Sequence, residues 1–133
     1  MSAEENKELM KRIFSGLEKG DGKPLLLSLS NDFSWTIIGS TAWSKTYRGR
    51  KTVRTELLDP LFSRFADLYT NSAHRFIAEG EYVVVECRGR VTTKSGLPYN
   101  NTYCWVVKIE DGRLKELTEY LDTELLTKAL GEP

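Results

Sequence analysis

The spacing of apolar residues changes along the chain, and each change marks an element. Through residues 3–19, Leu9, Met10, Ile13, Phe14 and Leu17 form one stripe among Glu and Lys, which predicts an amphipathic helix. Ser2 followed by Glu5 has capping-box spacing, and Gly20-Asp21-Gly22 supplies a stop. Pro24 then precedes Leu25, Leu26, Leu27 and Leu29, the pattern of a second short helix ending near Ser30. Asn31-Asp32 turns the chain into a first strand, Phe33 to Ile38, rich in aromatic and β-branched residues. Residues 39–49 show no period and read as a loop, although the loop holds Trp43 and Tyr47. These two rings either plug the core or line a cavity mouth. A third helical stretch, Arg50 to Asp67, has Val53, Leu57, Leu61, Phe62 and Phe65 on its buried side. Pro60 would disrupt an unbroken helix, so Asp59 is read as a cap at a kink or between two joined helices.

From Thr70 the period falls to two. Four strands are predicted: Ala73–Glu79, Tyr82–Thr93, Asn100–Glu110 and Arg113–Leu121. Gly80-Glu81, residues 94–99 and Asp111-Gly112 separate them, and such short connections make an antiparallel meander. Tyr103, Trp105, Val107 and Ile109 share one face of the third of these strands. Helices first, one strand among them, then a run of strands predicts an α+β fold in one domain over residues 1–133. Three N-terminal helices would pack on one face of a curved antiparallel sheet.

Composition narrows the function classes. Nineteen basic residues against nineteen acidic ones leave no electrostatic reason to expect nucleic acid or an anionic membrane. No apolar run reaches the ~20 residues of a membrane span, and the charged N-terminus is unlike a secretory signal, so a cytoplasmic protein is expected. Cys87 and Cys104 fall on neighbouring predicted strands and are read as two buried thiols. With one His and two separated Cys, metal-site spacings are absent.

Three stretches carry a resemblance: Phe33–Gly49 (FSWTIIGSTAWSKTYRG), Asn100–Trp105 (NNTYCW) and Asp111–Thr123 (DGRLKELTEYLDT). With the order of elements, they resemble the ketosteroid-isomerase-like superfamily, which also contains nuclear transport factor two and the SnoaL-like polyketide cyclases. The resemblance covers nearly the whole chain. It implies a cone-shaped fold, with the sheet wrapped around the helices, a pocket at the open end and a homodimer through the outer sheet face. Its enzymes are isomerases, aldol-type cyclases and epoxide hydrolases that use a carboxylic acid in an apolar pocket, without metal or organic cofactor. By its position in the final strand, Asp122 resembles the acid that several members use as general acid or base.

The residues leave a choice at Asp122. Apolar neighbours would raise its pKa and suit it to proton transfer, whereas as N-cap of Thr123–Leu130 it would stay ionised. Glu119 lies on the opposite face under regular alternation, as an outward charge or dimer-face ion pair; only a bulge would let both acids face the pocket. Tyr47 and Tyr103 are candidate catalytic phenols, hydrogen-bond donors to a ligand oxygen, while Trp35, Trp43, Trp105 and Tyr120 are candidates to hold a flat apolar ligand. Glu86, Arg88 and Arg90 alternate on one strand face and are read as a charged outer surface. Related epoxide hydrolases pair an Arg with carboxylates, and Arg88-Gly89-Arg90 departs from that arrangement. His74, the only imidazole, is read as a surface or hydrogen-bonded group. The leading expectation is a cofactor-independent acid/base enzyme acting on a small, largely apolar carbonyl or epoxide compound. A non-catalytic small-molecule binder and a protein-interaction domain are the alternatives.

Overall fold

In the computed structural model, which describes residues 1–133, the first amphipathic stripe forms α1, Ala3–Leu17. Its capping box is closed at both ends: Glu5 N–H donates to Ser2 Oγ at 3.1 Å, and Ser2 N–H to Glu5 Oε1 at 2.8 Å. Met10, Ile13 and Phe14 are its most buried apolar residues. Gly20 ends the turn after α1 with φ of 80°, a conformation that favours glycine. Then come α2, Lys23–Ser28, with Pro24 in its first turn, and β1, Leu29–Ile37.

The expected loop after β1 contains a short strand, β2, Thr46–Arg48. Trp35 pairs with Tyr47 and Thr36 with Thr46, whose hydroxyls lie 2.8 Å apart. Three residues are too few to show a period. The third helical stretch also differs from expectation. It runs without a capped break through α3, Arg50–Thr52, a π-helical segment, Val53–Leu58, and α4, Asp59–Phe62. Leu58 and Asp59 both have right-handed helical angles, and Asp59 N–H reaches back to the carbonyl of Arg54. A π turn is wider than an α turn, which makes room for the Pro60 ring where an α-helix would clash with it. Helix ends at Phe62; beyond it, Ala66 N–H donates to Thr92 O and Lys94 N–H to Arg64 O, each at 2.8 Å.

The meander follows as β3, Thr70–Glu79, β4, Tyr82–Arg90, β5, Thr102–Glu110, and β6, Arg113–Leu121; α5, Thr123–Leu130, closes the fold. The six strands stand in the order β2-β1-β6-β5-β4-β3. The meander is antiparallel, but β1 lies parallel to β6, so the sheet is mixed rather than wholly antiparallel. Parallel neighbours need a long crossover, and here most of the chain lies between the two strands. One face is apolar: Phe33, Trp35, Val83, Val85, Trp105, Val107 and Leu117 are all buried against the helical layer.

One register shift decides which side chains β6 offers to that layer. Ile109 pairs with Leu114, but Lys108 pairs with Glu116, so Lys115 is the extra residue of a bulge. Alternation restarts after it. Leu114, Leu117 and Glu119 are buried, while Thr118 and Tyr120 turn outward. Regular alternation from Leu114 would have turned Thr118 and Tyr120 inward and left Glu119 outside.

At the end of β6, buried Asn101 replaces ladder hydrogen bonds: its Oδ1 accepts from Asp122 N–H at 3.1 Å, and its Nδ2 donates to Asp122 O at 3.0 Å. The Asp122 side chain then caps α5, Oδ1 accepting from Leu125 N–H at 3.1 Å. No helix is long and apolar enough to cross a membrane. Replacing the cap, Asp122→Ala, is expected to cost about 1 kcal/mol in urea unfolding, with Asp122→Asn close to wild type. A loss in both variants would refute the capping role.

Candidate active site

A cavity of about 140 Å³ lies between the inner sheet face and the helices. Most of its wall is apolar, from Leu17, Leu25, Leu57, Leu58, Leu61, Phe62 and Leu126 on the helices and Trp35 and Trp105 on the strands. An engineered apolar cavity of about 150 Å³ is large enough to take up benzene, so this space matches a single ring or a short branched chain.

Glu119 is the only ionisable carboxyl in this wall. The bulge at Lys115 turns it inward, and it is 7% exposed. It receives one hydrogen bond, from Trp105 Nε1 to Oε1 at 3.0 Å. Burial disfavours its charged form and pushes its pKa up to about 7, while the indole N–H pulls the other way. Desolvation wins because a single neutral donor replaces little of a carboxylate's hydration. Trp105 is itself held by rings, with Phe14 centred 5.2 Å and Trp35 5.5 Å away. The donor is therefore fixed on Oε1, and Oε2 is left to carry or release a proton.

Three phenols, Tyr69, Tyr99 and Tyr103, share the wall with this acid. Burial raises the pKa of each, that of Tyr99 to about 12, and the charge of Glu119 adds to the shift. They keep their protons at neutral pH and can donate them in hydrogen bonds. Asn71 Nδ2 donates to Tyr69 Oη at 3.3 Å and Asn101 Nδ2 to Tyr99 Oη at 3.2 Å, orienting two of the hydroxyls. Gly89 makes the room: a Cβ there would stand 2.9 Å from Tyr69 Oη and 3.1 Å from the Tyr103 ring. Two buried polar atoms in the wall residues have no protein partner, Trp35 Nε1 and Asn71 Oδ1.

Of the candidates expected from sequence, Tyr103, Trp35 and Trp105 meet at this cavity. The others lie elsewhere. Asp122 is exposed and occupied as a helix cap, and the carboxyl in the cavity wall is that of Glu119, three residues earlier. Tyr47 and Trp43 form a plug instead of a cavity mouth. Tyr47 Oη donates to Trp43 O at 2.9 Å, and Trp43 Nε1 donates to Gly131 O at 2.6 Å beneath the Arg64 guanidinium. Tyr120 is 49% exposed on the outer sheet face. Glu86 pairs with Arg75 at 3.0 Å, and His74, Arg88 and Arg90 are exposed. Buried Cys87 has its thiol pKa pushed up by burial, and both cysteines are free. The signal that would have found Glu119 is the spacing of Leu114 and Leu117. A step of three positions between core residues, with two residues between them, breaks strand alternation and implies a bulge. Tyr69 and Tyr99 were hidden because both precede strands in segments without a period.

Comparison with known proteins identifies the family and the fold. A family model described as "SnoaL-like domain" matches residues 10–117. No curated protein matches the chain. An NTF2-like protein from Burkholderia xenovorans LB400 is 27% identical, with 98% of each chain covered and a TM-score of 0.72. A putative SnoaL-like polyketide cyclase from Jannaschia sp. CCS1 is 16% identical, covering 98% of this chain and 94% of its own, with a TM-score of 0.78. An LEH-like epoxide hydrolase from M. tuberculosis is 22% identical over 96% of this chain and 90% of its own, with a TM-score of 0.73. The last two likenesses speak for the fold alone. With its mixed sheet, its helical layer and the matched span, the chain belongs to the SnoaL-like domain family and has the NTF2-like fold.

Proposed function

We propose that the protein is a cofactor-independent acid/base enzyme acting on a small, largely apolar carbonyl or epoxide compound, with Glu119 moving the proton. The observation that carries this reading is a carboxyl in an apolar cavity whose pKa is brought to about 7, where it can both take and give a proton near neutral pH. A ring in the cavity would lie against Trp35 and Trp105. Its oxygen would accept hydrogen bonds from the phenols of Tyr103 and Tyr69, and a carbon next to the carbonyl would face Glu119 Oε2. Oε2 removes the proton, the C–H electron pair moves into an enolate, and the phenols stabilise the charge on oxygen. Returning the proton to a different carbon completes an isomerisation; in a cyclisation the enolate carbon attacks a second carbonyl, whose C=O π pair moves to its oxygen, and Glu119 returns its proton to that alkoxide. A putative polyketide cyclase and an epoxide hydrolase share this fold, so the fold can host chemistry of this class.

The outer sheet face is the surface proposed to pair two copies. Ile77 pairs with Val84 and Val84 with Val106, an apolar row that the helices leave uncovered. Val106→Glu is expected to convert a dimer into a monomer in sedimentation; a monomeric wild type would dismiss the pairing.

Glu119 makes the proton reading testable without a substrate. Its pKa lies near 4.5 when unperturbed and about 7 in the fold, so the folded state holds the proton more tightly. Stability from this group is fully present below pH ~4.5 and is lost as pH rises through about 7, a decline of roughly 3 kcal/mol. Unfolding measured from pH 4 to 8 should show this slope in wild type and not in Glu119→Gln. An unchanged slope in the variant would mean that the carboxyl is solvated, and the reading would fall.

Proton abstraction itself is measured by deuterium uptake next to the carbonyl of aryl ketones and cyclic enones in D₂O. Glu119→Gln should slow exchange by about 10²- to 10⁴-fold, and Tyr103→Phe by about 10²-fold, with the ligand-induced rise in melting temperature kept in both. Binding without exchange in the wild type would identify a carrier or sensor instead of an enzyme.

A further inference from the structure

On the far side of Leu26 and Leu58 from the cavity lies a second, open groove of about 460 Å³. These two leucines are wall residues of both spaces. The groove differs sharply from the cavity in charge. Arg50, Lys51 and Arg54 line it, and Arg50 also lines an adjoining hollow with Arg113. No carboxylate stands in either wall, and none of the four cations takes part in the ion pairs of the molecule, which use Lys11, Arg75, Lys108, Lys115 and Lys128.

In a chain with 19 basic and 19 acidic residues, such a local excess needs a reason. Folding does not supply one. Arg50 and Arg54 are four residues apart on one helical run, where like charges repel, and cations in a first helical turn oppose the backbone dipole. Each effect destabilises the helix slightly, and no acidic residue of the groove offsets it.

The geometry points to a two-part site, and this inference rests on the acid/base reading of the cavity. We infer that the compound taken up is an amphiphile: an apolar ring or short chain for the cavity, joined to an anionic oxygen group held by Arg50 and Arg54 in the groove. Guanidinium pairs suit that task, since each can donate two parallel hydrogen bonds to a carboxylate or phosphate. Leu26, 36% exposed, and Leu58 would flank the join between the two parts. Anchoring the charged end also fixes the reacting carbon relative to Glu119, because binding away from the reacting centre can be used to orient it.

A matched pair of compounds tests the inference: 3-benzoylpropionate, with ring, ketone and carboxylate, and its methyl ester. Both are titrated into the full chain by calorimetry, with amide and tryptophan indole signals followed by NMR. The acid should bind about tenfold more tightly than the ester. It should shift the Trp105 indole N–H together with the amides of residues 50–55, and weaken with added salt. Arg50→Ala/Arg54→Ala should erase the preference while leaving ester affinity and the Trp105 shift intact. Equal affinity of acid and ester, or a preference that survives in the double variant, would overturn the amphiphile and leave the cavity reading standing. Acid-dependent shifts confined to residues 50–55, with Trp105 unmoved, would separate the groove from the cavity and also overturn it. No response to either compound would overturn both readings.

Discussion

A carboxyl held away from water by aromatic rings, with one indole N–H as its hydrogen-bond partner, is the constraint that the rest of the structure accommodates. An ionised group in that position is penalised, and Glu119 is left in balance between its two protonation states. The balance depends on geometry several residues away. The bulge at Lys115 sets the phase of β6, and that phase alone decides whether Glu119 or Tyr120 faces the cavity. Phe14 and Trp35 pack against Trp105 and hold the N–H in line with Oε1. Gly89, with no side chain, lets Tyr69 and Tyr103 lie over β4 within reach of the same space.

The helical layer shows a comparable adjustment. The π segment Val53–Leu58 carries Leu57 and Leu58 to the cavity wall and Val53 and Arg54 to the groove. Single π turns are uncommon and cluster at functional sites, because the wider turn re-aims the side chains after it. Here it also brings Pro60 into a helix that continues to Phe62. One irregularity therefore solves a local backbone conflict and shapes both spaces.

Much of this fold was legible in the sequence, and what escaped has a common cause. The capping box at Ser2 and Glu5, the α1 stripe and the Asp111-Gly112 hairpin are all local patterns, and local patterns are what spacing reveals. The face carrying Tyr103 and Trp105 was also legible, since β5 alternates without interruption. Three features broke the period instead of following it: the bulge in β6, the π segment and the three-residue β2. The first places Glu119, and not Asp122, in the cavity wall. Asp122 was ambiguous because a carboxyl before Thr123 satisfies capping and catalytic patterns equally, and only the contact to Leu125 N–H separates them. The parallel pairing of β1 with β6 joins residues far apart in the chain, and no local signal encodes it.

The distribution of unfavourable features argues that the cavity is more than a packing fault. Buried donors and acceptors without partners typically cost about 1–3 kcal/mol each, and a domain tolerates few of them. Of the three such atoms here, one, Asn6 Oδ1, lies on α1 away from the cavity, while Trp35 Nε1 and Asn71 Oδ1 belong to residues of its wall. The strongly desolvated acid is in that wall as well. A sequence selected for stability alone would place an apolar side chain at position 119, where the surroundings are already rings and leucines. Keeping Glu there, with phenols whose protons burial secures, sacrifices stability for a group that can exchange a proton near neutral pH. The expense is concentrated where a ligand would lie, which is what proton-transfer chemistry requires and what a purely structural core would avoid.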